Sequence, residues 1–173
     1  MKDQSIITPW VASWSEETSF EVRPCRWAAG RLAVWSPFKQ GRGRPHLSRP
    51  HPVRQRRAIA EMRCSICGEK TGKGYHDRWW FGLGQRDVGG FGFTTTEAPL
   101  HFECAQAAKA LCPHVSALGL DPEPMPQWDA VISAIVGGAA MVRDYGIDVG
   151  HREVIGHMKL AWRRRPPMLQ RDH

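Results

Sequence analysis

Two short pairs of residues constrain this chain more than any other feature. They are Cys64-x-x-Cys67 and, after 33 intervening residues, His101-x-x-Cys104. Each pair sets two side chains close enough to share one small cation. Three thiolates and one imidazole form a closed, soft, four-donor set that suits tetrahedral Zn²⁺ in a structural role. Gly68 follows the first pair, and a residue without Cβ lets the backbone fold tightly so that N–H groups can point at the sulfurs. In the second pair the i,i+3 spacing puts His101 and Cys104 on one face of a helix's first turn. The helix N-terminus there favours the negative thiolate of Cys104. The competing reading makes Cys64 and Cys67 small buried hydrophobes and His101 a hydrogen-bonded histidine. A redox Cys-x-x-Cys fits less well, because no βαβ pattern surrounds it.

Five cysteines is an odd number, spaced as ligands more than as a disulfide framework, which predicts a reducing compartment. Cys112 and His114 flank Pro113 and could replace one ligand or build a second site. The simpler reading is a helix-end thiol and a surface imidazole, with Cys25 a core thiol. The first residues lack an apolar run of signal-peptide length, and no stretch approaches a membrane span. A soluble, cytoplasmic chain is expected.

At 173 residues and 42% hydrophobic content the chain can build one core with a small appendage, and eight Trp must be buried or used at an interface. Alternation predicts an N-terminal hairpin of about 20–27 and 31–36, with Pro24 confining its first strand to an edge. Residues 37–52 hold four Pro and two Gly and read as a loop, followed by a short helix over 53–62. After the Cys64–Cys67 knuckle, YHDRWWFGL and FGFTTT read as a second hairpin turning at GQRDVGG. A helix follows, with Pro99 in its first turn, a stripe of Leu100, Cys104, Ala107 and Leu111, and Pro113 closing it. AVISAIV-GG-AAMVRDYG reads as a buried hairpin around Gly137 and Gly138, or as a buried helix. REVIGHMKLAW is an element of undecided type. The expected organisation is an N-terminal hairpin region (1–38), a basic segment (39–57), a zinc-binding core (58–116), a β-rich extension (117–165) and a frayed tail (166–173).

Knuckle, hairpin and ligand-bearing helix, in that order over roughly residues 60–113, resemble the treble-clef zinc finger. The resemblance implies an α+β fold on a zinc-bound, treble-clef-like core with flanking β-hairpins. The chain is also similar, over about 42–116, to a group of bacterial proteins with an RQRR segment, CxxCG, a [CH]xxC pair and a CPH end. The matching residues are Arg54, Gln55, Arg56, Arg57, Cys64, Cys67, Gly68, His101, Cys104, Cys112, Pro113 and His114. That likeness carries no function, but it implies that the basic run belongs to the domain.

The basic run decides the partner expectation. The net charge is +7, and residues 39–57 hold seven Lys/Arg and no acid, so the excess is local. Phosphate contact by Arg42, Arg44, Arg54, Arg56 and Arg57 is the functional reading. Solvated side chains, or pairs with Glu61 and other acids, are the alternative. Arg42-Gly43-Arg44-Pro45 also matches the core of the AT-hook, in which an extended Arg-Gly-Arg lies in a narrow minor groove. At most one of Trp79 and Trp80 could offer a stacking surface, since neighbours on a strand face opposite ways.

Treble clefs include nucleases of the HNH type, for which His76-Asp77 is the one candidate pair. No Asn or second His follows it at suitable spacing. Walker, GxSxG and HExxH motifs are missing. The expected function is therefore a non-catalytic zinc-binding protein contacting nucleic acid or a nucleic-acid-processing machine. The alternatives are a protein-interaction module or inhibitor docking on a larger complex, and an HNH-like nuclease.

Overall fold

The computed structural model describes residues 7–84, 90–164 and 166. Along the chain the elements are β1 (Ala12–Trp14), β2 (Glu21–Pro24), β3 (Leu32–Trp35), β4 (Pro45–Pro50), α1 (Pro52–Glu61), β5 (Trp79–Trp80) and β6 (Phe93–Thr95). They continue with α2 (Phe102–Leu111), α3 (Pro113–Leu118), β7 (Glu123–Pro124), β8 (Ala130–Val136), α4 (Gly138–Tyr145) and β9 (Val154–Trp162). The fold is mixed α+β. The expected tail lies outside the described residues apart from Pro166.

β9 organises the main sheet. It buries Val154, Ile155, Met158, Leu160, Ala161 and Trp162, so both of its faces are covered and its sequence shows no clean alternation. That explains why REVIGHMKLAW is ambiguous when read alone. β8 runs antiparallel along one side of β9, from Ala130 opposite Ala161 to Val136 opposite Val154. The other side is shared. β3 pairs in parallel at Ala33 and Ile155, and β6 pairs antiparallel at Phe93–Thr95 with Trp162–Leu160. The expected N-terminal hairpin is present, β2 and β3 pairing from Glu21–Trp35 to Pro24–Leu32.

Between β3 and β6 the edge of β9 has no strand partner among the described residues, and α1 fills the gap with side chains. Gln55 behaves as a peptide unit of a strand: its Nε2 donates to the Met158 carbonyl at 2.8 Å, and its Oε1 accepts from Met158 N–H at 3.0 Å. Arg56 donates to the Gly156 carbonyl at 3.0 Å and to the Val34 carbonyl at 2.5 Å. Backbone acceptors that a missing strand would leave bare are thereby satisfied. α1 also lays Ala58 and Ile59 on Trp80, Phe93, Met158, Leu160 and Trp162, the largest apolar cluster.

Two hairpin expectations are corrected. Trp79–Trp80 pairs with Glu123–Pro124, not with Phe93–Thr95, which joins β9 instead. Gly82, with φ of +74°, ends the first arm early. The arms still touch through Glu97, whose carboxylate accepts from Phe81 N–H at 2.5 Å and Leu83 N–H at 2.9 Å. The second correction concerns residues 130–145. AVISAIV is a strand, but Gly137 caps a helix instead of turning a hairpin. Ala139, Ala140 and Met141 are strong helix formers, and the antiparallel partner of β8 comes only with β9.

A smaller layer carries the cysteines. Cys64, Phe81, Leu100, Ala105, Ala108, Val115 and Leu120 form a second apolar cluster between the knuckle, α2 and α3. The buried stripe of α2 is thus Ala105 and Ala108, one residue off the expected Cys104 and Ala107. Pro113 ends α2 as expected and also opens α3. The sheet draws strands from residues 1–38, 58–116 and 117–165, so these stretches pack as one body.

Candidate metal centre

α1 ends at Met62 in a left-handed conformation, which turns the chain into a tight knuckle. Arg63 bridges to Lys70, Cys64 N–H donates to the Glu69 carbonyl at 2.8 Å, and Gly68 N–H donates to the Cys64 carbonyl at 2.8 Å. Gly68 has φ of +81°, and a Cβ there would stand 2.7 Å from the Trp10 ring. The position therefore demands glycine twice, for its backbone and for the indole lying on it. Trp10 is held in place by its own N–H bond to the Ile66 carbonyl.

The second pair is brought to the first by backbone bonds. Ser65 N–H donates to the Pro99 carbonyl, and Trp79 and Leu100 exchange both of their N–H···O bonds. His101 then occupies the N-cap of α2 and Cys104 its first turn. One ligand atom from each of Cys64, Cys67, His101 and Cys104 lies within 4.8 Å of the other three. Four donors around one zinc ion stand roughly 3.5–3.8 Å apart, given bond lengths of about 2.0–2.3 Å. Cys67 Sγ and His101 Nδ1 are already 3.3 Å apart. His101 Nε2 faces the Lys70 carbonyl at 3.2 Å, so with Nδ1 turned to the sulfurs the ring proton sits on Nε2 and is donated there. This is the outer hydrogen bond that orients a ligating imidazole. The cluster can hold a metal ion. Cys64 is buried, His101 and Cys104 are half-buried and Cys67 is exposed.

The electrostatics agree with a site built for a cation. Burial, followed by the neighbouring Cys64 and Cys67 sulfurs, pushes the Cys104 thiol up to about 12. Burial and Cys64 also raise Cys67, against the Glu69 N–H, which lowers it. Three thiolates cannot share this space unless a positive ion balances them.

Other candidates fall elsewhere. Cys112 and His114 are outside the four-donor group. They line a cavity of about 670 Å³ together with Leu83 and Glu97. Cys25 is buried beside Ala33 and Ile155. His76 and Asp77 lie on an exposed single turn, where the Asp77 carboxylate accepts from Gly74 N–H at 2.7 Å. Trp80 is fully buried and Trp79 half-buried.

The basic run divides in two. Residues 38–50 are all exposed, so Lys39, Arg42 and Arg44 face solvent, whereas Arg49 donates to the Asp144 carbonyl at 2.8 Å and lies over the Phe20 ring. Gly41 and Gly43 have φ of +82° and +79°, so the Arg42–Arg44 segment turns and does not run extended as an AT-hook would. Arg54 and Arg56 must be withdrawn as phosphate contacts. Arg54 is 1% and Arg56 2% exposed. Arg54 forms a two-pronged pair with the buried Glu17 and also donates to the Ala12 carbonyl, and Arg56 belongs to the sheet gap. Burial raises the Glu17 carboxyl, but Arg54 and the N–H groups of Lys39 and Trp14 outweigh it and hold the group below its ordinary range. Arg57 pairs with Glu61 at 3.2 Å, the acid that stands one helical turn along the sequence.

Sequence reasoning missed Glu17, Trp10 and the Lys70 carbonyl. Glu17 is 37 residues from Arg54, and no local pattern marks such a pair. No helix among the described residues is long and apolar enough to cross a membrane. Comparison with protein-family models, with curated proteins and with solved structures returned no match.

Proposed function

We propose that this is a non-catalytic zinc protein whose metal is structural, and that it contacts nucleic acid or a nucleic-acid-processing machine through the exposed part of its basic run. The observation that carries the zinc assignment is the convergence of three sulfurs and one imidazole nitrogen, with no carboxylate and no fifth ligand joining the group among the described residues. A treble-clef-like core is supported by the order of knuckle, short antiparallel contact at Trp79–Leu100, and helix bearing the last two ligands. Thiolate ligands need a reducing environment, which fits the cytoplasm. Nucleic-acid contact rests on Lys39, Arg42 and Arg44, exposed within residues 38–50.

A second reading, docking on a protein, is favoured by a row of aromatic rings beside the centre. Tyr75 and His76 are 4.9 Å apart, His76 and Trp79 6.5 Å, and Trp79 and Phe102 4.6 Å. Tyr75 and Phe102 are 58% and 43% exposed. Binding to random duplex DNA, single-stranded DNA and RNA across a salt series separates the two. The first reading expects a steep salt slope that flattens by about two in the Arg42→Gln/Arg44→Gln protein. Equal slopes in the two proteins would sink it. Salt-insensitive capture of a partner, lost on Tyr75→Ser/Phe102→Ser, would establish the second.

A further inference from the structure

One edge of the main sheet is uncovered. β8 pairs with β9 along its length, and among the described residues no strand pairs with its other side. An edge strand turns alternate N–H and C=O groups outward. Natural edges are blunted by charge, proline, shortness or a bulge in the edge strand itself. β8 uses none of these. It is seven residues long, Ala-Val-Ile-Ser-Ala-Ile-Val, without charge or proline. The one register shift places the extra residue, Gly156, in β9.

The side chains add to the exposure. Val131 and Ile135 are 40% and 42% exposed and, four apart on a strand, project to the same face. Val131 stands opposite Leu160 and Ser133 opposite Met158, so this is the face that α1 covers nearer the centre of the sheet.

The order of residues in β8 identifies the partner. Placed antiparallel against a second copy of itself with Ser133 at the centre, the strand brings Val131 opposite Ile135, Ile132 opposite Ala134, and Ser133 opposite Ser133. Both exposed apolar side chains then meet an apolar partner on the same face, twice over by symmetry. Asp129 falls opposite Gly137, so no like charges face each other. Two chains of net charge +7 repel, and an uncharged strand is where they can approach closely.

We propose that β8 is a self-association edge, pairing antiparallel with β8 of a second copy about a two-fold axis at Ser133 and joining the two five-stranded sheets. The two-fold pairing makes the interface self-complementary and closes it at a dimer. The assignment stands independently of the metal.

The test is sedimentation of the full-length chain from low to high micromolar concentration, with three variants at exposed or half-exposed positions. Val131→Lys/Ile135→Lys sets like charges opposite each other in the proposed register and should be monomeric throughout. Val131→Lys/Ile135→Glu sets opposite charges there and should still dimerise. Ser133→Cys should cross-link two chains under mild oxidation where the native chain does not, because directly opposed residues of an antiparallel pair lie within disulfide reach. Circular dichroism and zinc content confirm that each variant is folded. A native chain that stays monomeric overturns the proposal. So does a Val131→Lys/Ile135→Lys variant that dimerises like the native chain, or a native dimer whose Ser133→Cys variant does not cross-link.

Discussion

Two places in this molecule gather several polar side chains together, and they solve the same problem differently. Around α1, Glu17, His51, Arg54, Gln55 and Arg56 are all less than a tenth exposed, and the protein itself supplies partners to each of them, though Arg54 Nε and Arg56 Nε stay without a hydrogen bond. Arg54 answers Glu17, while Gln55 and Arg56 answer backbone carbonyls. His51 Nδ1 accepts from the N–H groups of Val53 and Arg54 at the start of α1, and its Nε2 lies 2.8 Å from Ser36 Oγ. The cysteine centre is built differently. Its four donors face one another, and burial with mutual repulsion raises the Cys104 and Cys67 thiols. One cluster is closed by residues of the chain, and the other could be closed by a metal ion. The contrast shows that residues of a basic run can be structural, held by partners that the chain itself provides.

The largest effect should come from breaking the open cluster. Cys64→Ala should abolish stoichiometric zinc. The binding free energy of a structural site, on the order of 10 kcal/mol at neutral pH, is then no longer available to folding. Metal analysis and thermal melting check this, and a variant with one zinc per chain and the native melting temperature would refute the site.

The closed cluster should be next. Arg54→Ala leaves the Glu17 carboxylate buried without its partner and should cost about 3–5 kcal/mol in urea unfolding, with zinc content unchanged. Glu17→Gln/Arg54→Met should recover much of that loss. A single variant as stable as the native chain would mean that Glu17 is not held by Arg54.

A pH series sharpens the comparison further. Burial, then the charge of Arg54, lowers His51 from 6.5 to about 4. The unfolded chain therefore takes up this proton first. The stabilisation is complete above pH 6.5 and is lost as the pH falls from 6.5 to 4, by about 3 kcal/mol. Glu97 runs the other way. Burial, against the N–H groups of Phe81, Leu83 and Gly82, pushes it up from 4.5 to about 7, so its protonation favours the fold as the pH falls through that window. The two oppose each other in the native chain, so the His51 contribution is read as the difference from His51→Asn, in which Asn can still cap α1 and Glu97 is common to both. Parallel stability curves for the two proteins would contradict the assignment.

The smallest effect belongs to the exposed end of the basic run. Arg42→Gln/Arg44→Gln should change stability by no more than about 0.5 kcal/mol while altering the salt dependence of any polyanion binding. A larger loss of stability would show that this loop, too, is structural.

Much of the candidate metal centre is legible in the sequence. Cys64, Cys67, His101 and Cys104 stand in two pairs whose spacing reports local geometry, a knuckle and a helical turn, and local geometry is what sequence encodes most directly. The hairpin of Glu21–Pro24 and Leu32–Trp35 is readable for the same reason, its partners being neighbours along the chain. Phe93–Thr95 reads as a strand, but its partner lies about 70 residues away in Leu160–Trp162, and strand pairing at that distance leaves no local trace. β9 resists assignment because burial on both faces erases its alternation.

The sequence by itself determined which residues could bind a metal, where the charge is concentrated and which segments turn. The tertiary structure alone decided what the charge is for. Arg42 and Arg54 are the same residue type twelve positions apart in one basic run. One faces water and the other faces Glu17, because folding brought a carboxylate from residue 17 and the bare edge of β9 against α1. Burial of a charge depends on what meets it across the core, and that meeting is a property of the assembled fold.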